Sequence, residues 1–197
     1  MDFYFDFVSP YGYMAAMKIE ALAARYGRTV NWFPILLGAV FKTTGAVPLV
    51  AIPIKGDYVL HDMARTARFH NIPFTFPQPF PLGTQLAARA TYFLQDQHGG
   101  DAAARFSQSI YQAYFVNGQN IAEPEVVAAC ANACGFDGAA VAEAVQSAPL
   151  KERLKQEIEQ AMARGVFGSP FVIVDGESFW GFDHFYQIEA LLRDGKI

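Results

Sequence analysis

The sequence predicts an α/β fold in which a four-stranded mixed sheet is split by an all-helical insertion. Two observations support this fold class. A strand–helix–strand pattern fills residues 1–36, and a strand–strand–helix pattern fills residues 166–197. From residue 83 to residue 165, by contrast, alanine-rich helical runs follow one another and no segment alternates as a strand does. We therefore expect both ends of the chain to form one sheet, beside which the helices pack.

The N-terminal unit begins with a strand, because phenylalanines alternate with Asp and Tyr over residues 2–7. Ser9 has the side chain of a helix N-cap, and the proline after it suits the first helical position. We expect this helix to cover residues 10–26 and to end at Gly27. Residues 29–36 then form a second strand, which a right-handed crossover places parallel to the first.

The middle of the chain changes from loop to helix. Glycines and prolines punctuate residues 37–56, which we expect to form a loop, and a helix follows over residues 57–71. Four prolines in residues 72–81 indicate a spacer rich in turns. The helical stretch that ends at residue 165 closes with an amphipathic helix that has Pro149 in its first turn.

Strands return near the C-terminus. Residues 171–174 and 178–180 form a hairpin, because the Asp175-Gly176 pair between them suits a tight two-residue turn. We expect Asp183 to cap a closing helix that ends before Gly195.

This order of elements is the layout of a thioredoxin-like fold. We expect a thioredoxin-like domain made of residues 1–70 and 166–197, and an inserted helical domain made of residues 71–165.

The composition argues against several classes of protein. The 197 residues carry a net charge of −4 without a Lys/Arg run, which argues against binding to nucleic acid or to an anionic membrane surface. No apolar stretch approaches the length of a membrane helix. The N-terminus has acidic residues where a signal peptide needs basic ones, so we expect a cytoplasmic protein.

Cysteine and histidine usage gives no sign of a metal or of a disulfide. Cys130 and Cys134 lie four residues apart in a helical stretch, which does not aim the thiols at each other, and we expect small buried residues in a reducing compartment. The four histidines show no spacing typical of metal ligands.

Ser9 is the first candidate for chemistry, because it lies where a strand meets a helix N-terminus. Thioredoxin-type redox proteins have Cys-x-x-Cys at this turn, whereas this chain has Ser9-Pro10-Tyr11-Gly12. Thiol–disulfide exchange by the protein's own sulfurs is therefore excluded. Two interpretations stay open: Ser9 stabilises the thiolate of a bound ligand, or it is only an N-cap.

Two further segments could bind a ligand. In a thioredoxin-like fold a cis-proline lies opposite the active turn, and Ser169-Pro170 has the matching position; the Ser169 backbone could then pair with an extended peptide. The alternative is a proline that merely begins a strand. Asp183 could receive a ligand's ammonium group while the N–H groups of the following helix take its carboxylate, or Asp183 could act as a helix cap alone.

Several segments together resemble the family of 2-hydroxychromene-2-carboxylate isomerases, which are relatives of the kappa-class glutathione transferases and have a DsbA-like fold. The matching segments are Phe5-Asp-Phe-Val-Ser-Pro-Tyr-Gly-Tyr13, Ile52-Pro-Ile-Lys55, Gly165-Val-Phe-Gly-Ser-Pro-Phe171, Asp175-Gly-Glu177 and Phe179-Trp-Gly-Phe-Asp183. The resemblance extends from end to end, although the helical middle contributes little to it.

The resemblance implies a glutathione site and a homodimer. Ser9 matches the catalytic serine that donates to the glutathione sulfur, and the Ser169-Pro170 pair matches the segment that pairs with the cysteinyl part. Asp183 and His184 match the pair that receives the γ-glutamyl end, and Lys55 matches a lysine near the ligand.

The implied activity is a glutathione-dependent cis–trans isomerisation of aromatic substrates of the 2-hydroxychromene-2-carboxylate type. A thiolate stabilised by Ser9 adds to a conjugated double bond, the bond rotates, and the thiolate leaves. Lys55 or Lys42 is a candidate partner for the substrate carboxylate.

Two residues depart from the family pattern. Ala46 stands where the family usually has an Asn that contacts glutathione, and His184 stands where it usually has Arg. Both changes predict weaker glutathione binding. A kappa-class-like glutathione transferase is one alternative, because it needs the same thiolate. A non-catalytic ligand-binding protein of the same fold is the other, and the two departures favour it.

Overall fold

The computed structural model describes all 197 residues, and both ends of the chain meet in one four-stranded sheet. The strands are β1 (Asp2–Phe5), β2 (Asn31–Pro34), β3 (Phe171–Val174) and β4 (Glu177–Trp180). Their order across the sheet is β2-β1-β3-β4. Strand β1 runs parallel to β2 and antiparallel to β3, and β3 runs antiparallel to β4. The mixed sheet expected from the sequence is confirmed.

Ten α-helices surround the sheet. They are α1 (Pro10–Ala16), α2 (Ile19–Arg25), α3 (Leu37–Thr44), α4 (Lys55–Phe69), α5 (Gln85–His98), α6 (Gly100–Phe115), α7 (Pro124–Ala133), α8 (Gly138–Ala144), α9 (Ala148–Ala163) and α10 (Phe185–Asp194). Short 3₁₀ turns cover Leu49–Ala51 and Phe182–His184. No helix combines the length and the hydropathy that a membrane span requires.

Strand β1 is buried on both faces, which fixes its position at the centre of the sheet. Phe3 and Phe5 lie on one face, where both rings meet Trp32 edge-on at centroid distances of 5.0 and 5.3 Å. Tyr4 points to the opposite face and belongs to a second apolar cluster that includes residues of α9. The first cluster continues from the sheet into α5–α8, so the inserted helices share its core. The division into domains at residues 70 and 165 stays a prediction.

The helix expected over residues 10–26 is two helices, so this prediction was wrong in its middle. Helix α1 ends at Ala16 and α2 begins at Ile19. The carbonyl of Ala16 accepts a hydrogen bond of 3.1 Å from the Gln108 side chain of α6. A side chain that enters the helical ladder interrupts it, and a residue 92 positions away could not be identified from local pattern.

The prediction of a loop over residues 37–56 was also wrong, because α3 occupies the first half of this segment. The carboxylate of Asp6, at the end of β1, accepts the Leu37 N–H at 2.6 Å and so caps α3 from another part of the chain. Gly45 ends the helix with φ of 73°.

The C-terminal expectations are confirmed except for one cap. Asp175 and Gly176 both have positive φ, as a tight hairpin turn requires. Asp183, by contrast, does not cap the closing helix: it lies in a 3₁₀ turn, and α10 begins two residues later with no side-chain cap.

Candidate active site

Ser9 lies at the turn between β1 and α1 and contacts the loop before β3. Its Oγ accepts the Gly12 N–H at 3.0 Å, which confirms Ser9 as the N-cap of α1. The same Oγ donates to the carbonyl of Ser169 at 3.0 Å. The Ser169–Pro170 peptide bond is cis, as expected. Residues 160 positions apart thus form one side of a potential binding site.

Two backbone donors at this junction have no partner within the protein. The N–H groups of Tyr11, in the first turn of α1, and of Ser169 donate to no protein acceptor. Since backbone donors are almost always satisfied when buried, free ones beside a cavity are suited to a ligand. Their position supports pairing of the Ser169 backbone with a peptide-like molecule.

Gly12 allows α1 to approach this loop closely. A Cβ at Gly12 would lie 2.8 Å from the Ser169 Oγ and 2.8 Å from the Tyr111 hydroxyl, where no real side chain fits. The absence of a side chain at Gly12 therefore permits the contact between the Ser9 turn and the loop that contains Ser169.

A cavity of about 670 Å³, here called the polar cavity, opens on one side of the junction. Its charged or titratable lining includes Asp62, Arg65, His70, Asp183 and His184. Tyr11 reaches across it and donates its hydroxyl to Asp62 at 2.6 Å, while Arg65 contacts the other oxygen of Asp62. Partial burial opposes ionisation of Asp62, but the hydrogen bonds from Tyr11 and Arg65 outweigh it and hold its pKa below the usual value. Burial and the Asp62 bond raise the pKa of Tyr11.

The pair at the far end of the polar cavity is open to a ligand. The side chain of Asp183 is 83% exposed, and the nearest approach of Asp183 Oδ1 to His184 Nδ1 is 3.6 Å, too long for a hydrogen bond. The His184 side chain is 39% exposed, although its Nδ1 is buried and has no hydrogen-bond partner. A ligand in the polar cavity would therefore contact the exposed part of the ring and the Asp183 carboxylate.

A second cavity of about 930 Å³, here called the apolar cavity, opens on the other side of the junction. Aliphatic and aromatic side chains from α3, from the loop after it, and from Phe80, Phe167 and Trp180 form most of its wall. Asp6 and Lys42 are its only charged residues. Four residues line both cavities, namely Tyr11, Leu49, Ser169 and Trp180.

The structure brings only some of the expected site residues together. Ser9 and Ser169 meet at the junction, and Asp183 and His184 lie in the polar cavity. Ala46 lines the apolar cavity instead. Lys55 is exposed at the start of α4 and lines neither cavity, so its expected role near the ligand stays a prediction.

Three residues of the polar cavity were missed by the sequence reasoning: Tyr11, Asp62 and Arg65. Asp62 and Arg65 are three residues apart on α4, a spacing that is common on solvated helix faces and carries no functional signal by itself. Only the packing of α4 beside α1 brings them to Tyr11.

The structure and the sequence are similar to known proteins over nearly the whole chain. A family model described as a DSBA-like thioredoxin domain matches residues 1–193. The chain is 31% identical to 2-hydroxychromene-2-carboxylate isomerase of Sphingobium xenophagum, with 98% of each protein covered. It is 27% identical to glutathione S-transferase kappa 1 of Caenorhabditis elegans, with 98% of this chain and 90% of that protein covered.

A solved structure of a 2-hydroxychromene-2-carboxylate isomerase superposes with a TM-score of 0.89 at 27% identity, covering 98% of this chain and 94% of the other. The similarity confirms the predicted thioredoxin-like fold with an all-helical insertion.

Proposed function

We propose that this protein is a glutathione-dependent isomerase, because the chain belongs to the family of 2-hydroxychromene-2-carboxylate isomerases and kappa-class glutathione transferases, which has a DSBA-like thioredoxin domain. Its substrate class is a conjugated aromatic carboxylate of the 2-hydroxychromene-2-carboxylate type. The reaction is a cis–trans isomerisation with Ser9 as the catalytic residue.

One observation carries the proposal: a polar and an apolar cavity meet at the junction of Ser9 and Ser169. A peptide thiol and an aromatic substrate need surroundings of opposite character, and their reacting atoms must come together at one point. The residues that line both cavities, Ser169 among them, supply such a point.

The polar cavity suits glutathione by charge and by its unsatisfied groups. The tripeptide carries two carboxylates, one ammonium group and two amides. Arg65 and His184 are suited to the carboxylates and Asp183 to the ammonium group, and the Ser169 N–H can pair with the cysteinyl backbone. When bound, glutathione supplies a thiolate that adds reversibly to a conjugated double bond and so allows the bond to rotate.

Ser9 has to exchange one hydrogen bond for another in order to act on the sulfur. Its single proton is directed at the Ser169 carbonyl, so the hydroxyl must turn to donate to the thiol sulfur. The Gly12 N–H continues to hold the oxygen in place during this rotation. Donation to the sulfur favours the thiolate over the thiol, and the start of α1 adds a favourable dipole.

The apolar cavity supplies the binding site for the second reactant. Its aromatic wall can pack against a planar ring, and it keeps water away from the reacting double bond. Lys42 is the one basic residue of this wall, so it rather than Lys55 is suited to the substrate carboxylate.

The proposal extends to a homodimeric, cytoplasmic enzyme that takes part in the breakdown of aromatic compounds, as the family resemblance implies. Sedimentation of the purified protein tests the dimer: a mass near twice that of the 21.7-kDa chain supports it, and a mass near 21.7 kDa contradicts it.

The activity is tested by adding 2-hydroxychromene-2-carboxylate to the protein with and without glutathione and following the ultraviolet spectrum. We expect conversion to the trans isomer only when glutathione is present. Glutathione conjugation to an electrophile without isomerisation would instead indicate a kappa-class-like transferase. Glutathione binding with neither reaction would indicate a non-catalytic binding protein.

A further inference from the structure

Asp6 has an unusual environment for a charged residue. It is 2% exposed, and no other charged side chain of the protein is buried. A buried carboxylate is tolerated only when donors replace the water it has lost. Burial raises the pKa of Asp6, and hydrogen bonds from Thr84, Leu37 and Val8 oppose that rise.

The three donors to the Asp6 carboxylate come from three different walls of the apolar cavity. The Val8 N–H, in the turn before Ser9, donates to Oδ1 at 3.1 Å. The Thr84 hydroxyl, at the start of α5, donates to the same oxygen at 2.6 Å. The Leu37 N–H, at the start of α3, donates to Oδ2 at 2.6 Å. One side chain therefore joins segments that are far apart in sequence.

The backbone of Asp6 contacts both partners of the catalytic junction. Its N–H donates to the Ser169 Oγ at 2.9 Å, and its carbonyl accepts the Ser9 N–H at 2.9 Å. The Tyr111 hydroxyl donates to the same carbonyl at 3.0 Å. A displacement of Asp6 would consequently move Ser9 and Ser169 as well as the cavity wall.

From these contacts we infer that Asp6 is a positioning residue, whose carboxylate fixes the Ser9 turn, α3 and Thr84 against one another and thereby sets where the substrate lies relative to Ser9. This inference rests on the proposed isomerase function. A carboxamide cannot replace the carboxylate, because its NH₂ group would face either the Leu37 N–H or the Val8 N–H. A backbone N–H can only donate, so one of the two contacts would place two donors against each other.

The test uses variants of Thr84, because Asp6→Asn places a buried amide donor against a backbone donor and so affects folding as well as activity. Thr84→Val keeps the size of the side chain but removes the hydroxyl bond to Asp6, and Thr84→Ser keeps that bond. Thr91→Val is the matched control, because it removes another buried threonine hydroxyl from the same helix at a residue that lines neither cavity. The measurements are kcat, glutathione affinity and hydrogen exchange of the Leu37 amide.

We expect Thr84→Val to lower kcat roughly 10- to 100-fold, because a small misplacement of the reacting groups has effects of that order. Glutathione affinity should change less than about twofold, since neither Thr84 nor Asp6 lines the polar cavity. Exchange of the Leu37 amide should rise about tenfold as the start of α3 loosens. Thr84→Ser should restore all three values, and Thr91→Val should leave them at the wild-type level.

Wild-type Leu37 exchange in Thr84→Val would overturn the inference whatever its kcat, because Thr84 itself lines the apolar cavity and could affect kcat directly. Wild-type kcat in Thr84→Val, or an equal loss of kcat in Thr91→Val, would overturn it as well. If the wild-type protein has no isomerase activity, the proposed function fails separately. The exchange of the Leu37 amide then decides on Asp6: increased exchange in Thr84→Val but not in Thr91→Val supports its positioning role, and unchanged exchange overturns it.

Discussion

At the scale of single residues, Ser9 caps α1 and, in the proposed mechanism, also donates to the glutathione sulfur. Ser9→Ala removes the hydroxyl that both roles need, and kinetics and stability report on the two roles separately. We expect kcat/KM to fall by an amount equivalent to about 1–3 kcal/mol of transition-state stabilisation, with a smaller loss of folding stability of about 1 kcal/mol. Steady-state kinetics and urea denaturation measure the two effects, and Ser9→Thr should retain more activity than Ser9→Ala.

The matched control for this variant is Ser147→Ala. Ser147 is also a serine N-cap, at the start of α9, and it lines neither cavity. Its loss should reduce stability by no more than that of Ser9, because its single bond to the Leu150 N–H is 3.5 Å long, and should leave kcat/KM unchanged. If Ser9→Ala behaves in the same way as Ser147→Ala, then Ser9 is only a cap.

The two residues that depart from the family pattern give a second prediction at this scale. His184→Arg should tighten glutathione binding by about 1 kcal/mol through one added ion pair, because residue 184 lines the polar cavity that we assign to glutathione. Ala46→Asn should change the affinity by less than about twofold, because Ala46 lines only the apolar cavity. Calorimetric titration of the wild-type protein, both single variants and the double variant measures this. No gain in His184→Arg would indicate a site formed for a different thiol.

At the scale of secondary-structure elements, the bond between Tyr11 and Asp62 links α1 to α4 across the polar cavity. Because the pKa of Asp62 is lowered in the folded protein, its ionised form stabilises the fold above the unfolded pKa of about 3.9, and this contribution is lost as the pH falls through the lower folded value. Asp62→Asn should therefore lower the free energy of unfolding by about 1 kcal/mol at neutral pH, and by less below about pH 4.

Urea denaturation of the wild-type protein and Asp62→Asn across this pH range measures the difference. In a Tyr11→Phe background the cost of Asp62→Asn should be smaller, since the partner hydroxyl is already absent. If the loss of stability in Asp62→Asn stays constant or grows at acid pH, the ionised form of Asp62 does not stabilise the fold as stated.

Elements that depend on local pattern could be predicted from the sequence, and elements that depend on distant contacts could not. The alternating phenylalanines of β1, the Asp175-Gly176 turn and the apolar stripe of α9 are local signals, and each gave the right element. Helix α3 was missed because its cap is the side chain of Asp6, 31 residues earlier. The break between α1 and α2 was missed because Gln108 causes it.

At the scale of the whole molecule, the sheet brings the two ends of the chain together at the candidate site. The contact between Ser9 and Ser169 could be expected once the fold was recognised, because the two residues follow and precede neighbouring strands. Asp6 offered a weak sign of its role, as an acidic residue between Phe5 and Phe7 beside the turn that contains Ser9. Thr84 and Arg65 offered none, since only tertiary packing brings them to the cavities.

The central claim is that the Ser9 turn stabilises the thiolate of bound glutathione, and an ultraviolet pH titration of the protein with glutathione tests it most directly. Thiolate absorbance should appear at a pH well below the value of about 8.5 that is typical of a free thiol. In Ser9→Ala, which loses the donor, it should appear closer to that value. A bound thiol that titrates as it does in free glutathione, or identically in both proteins, would contradict the account.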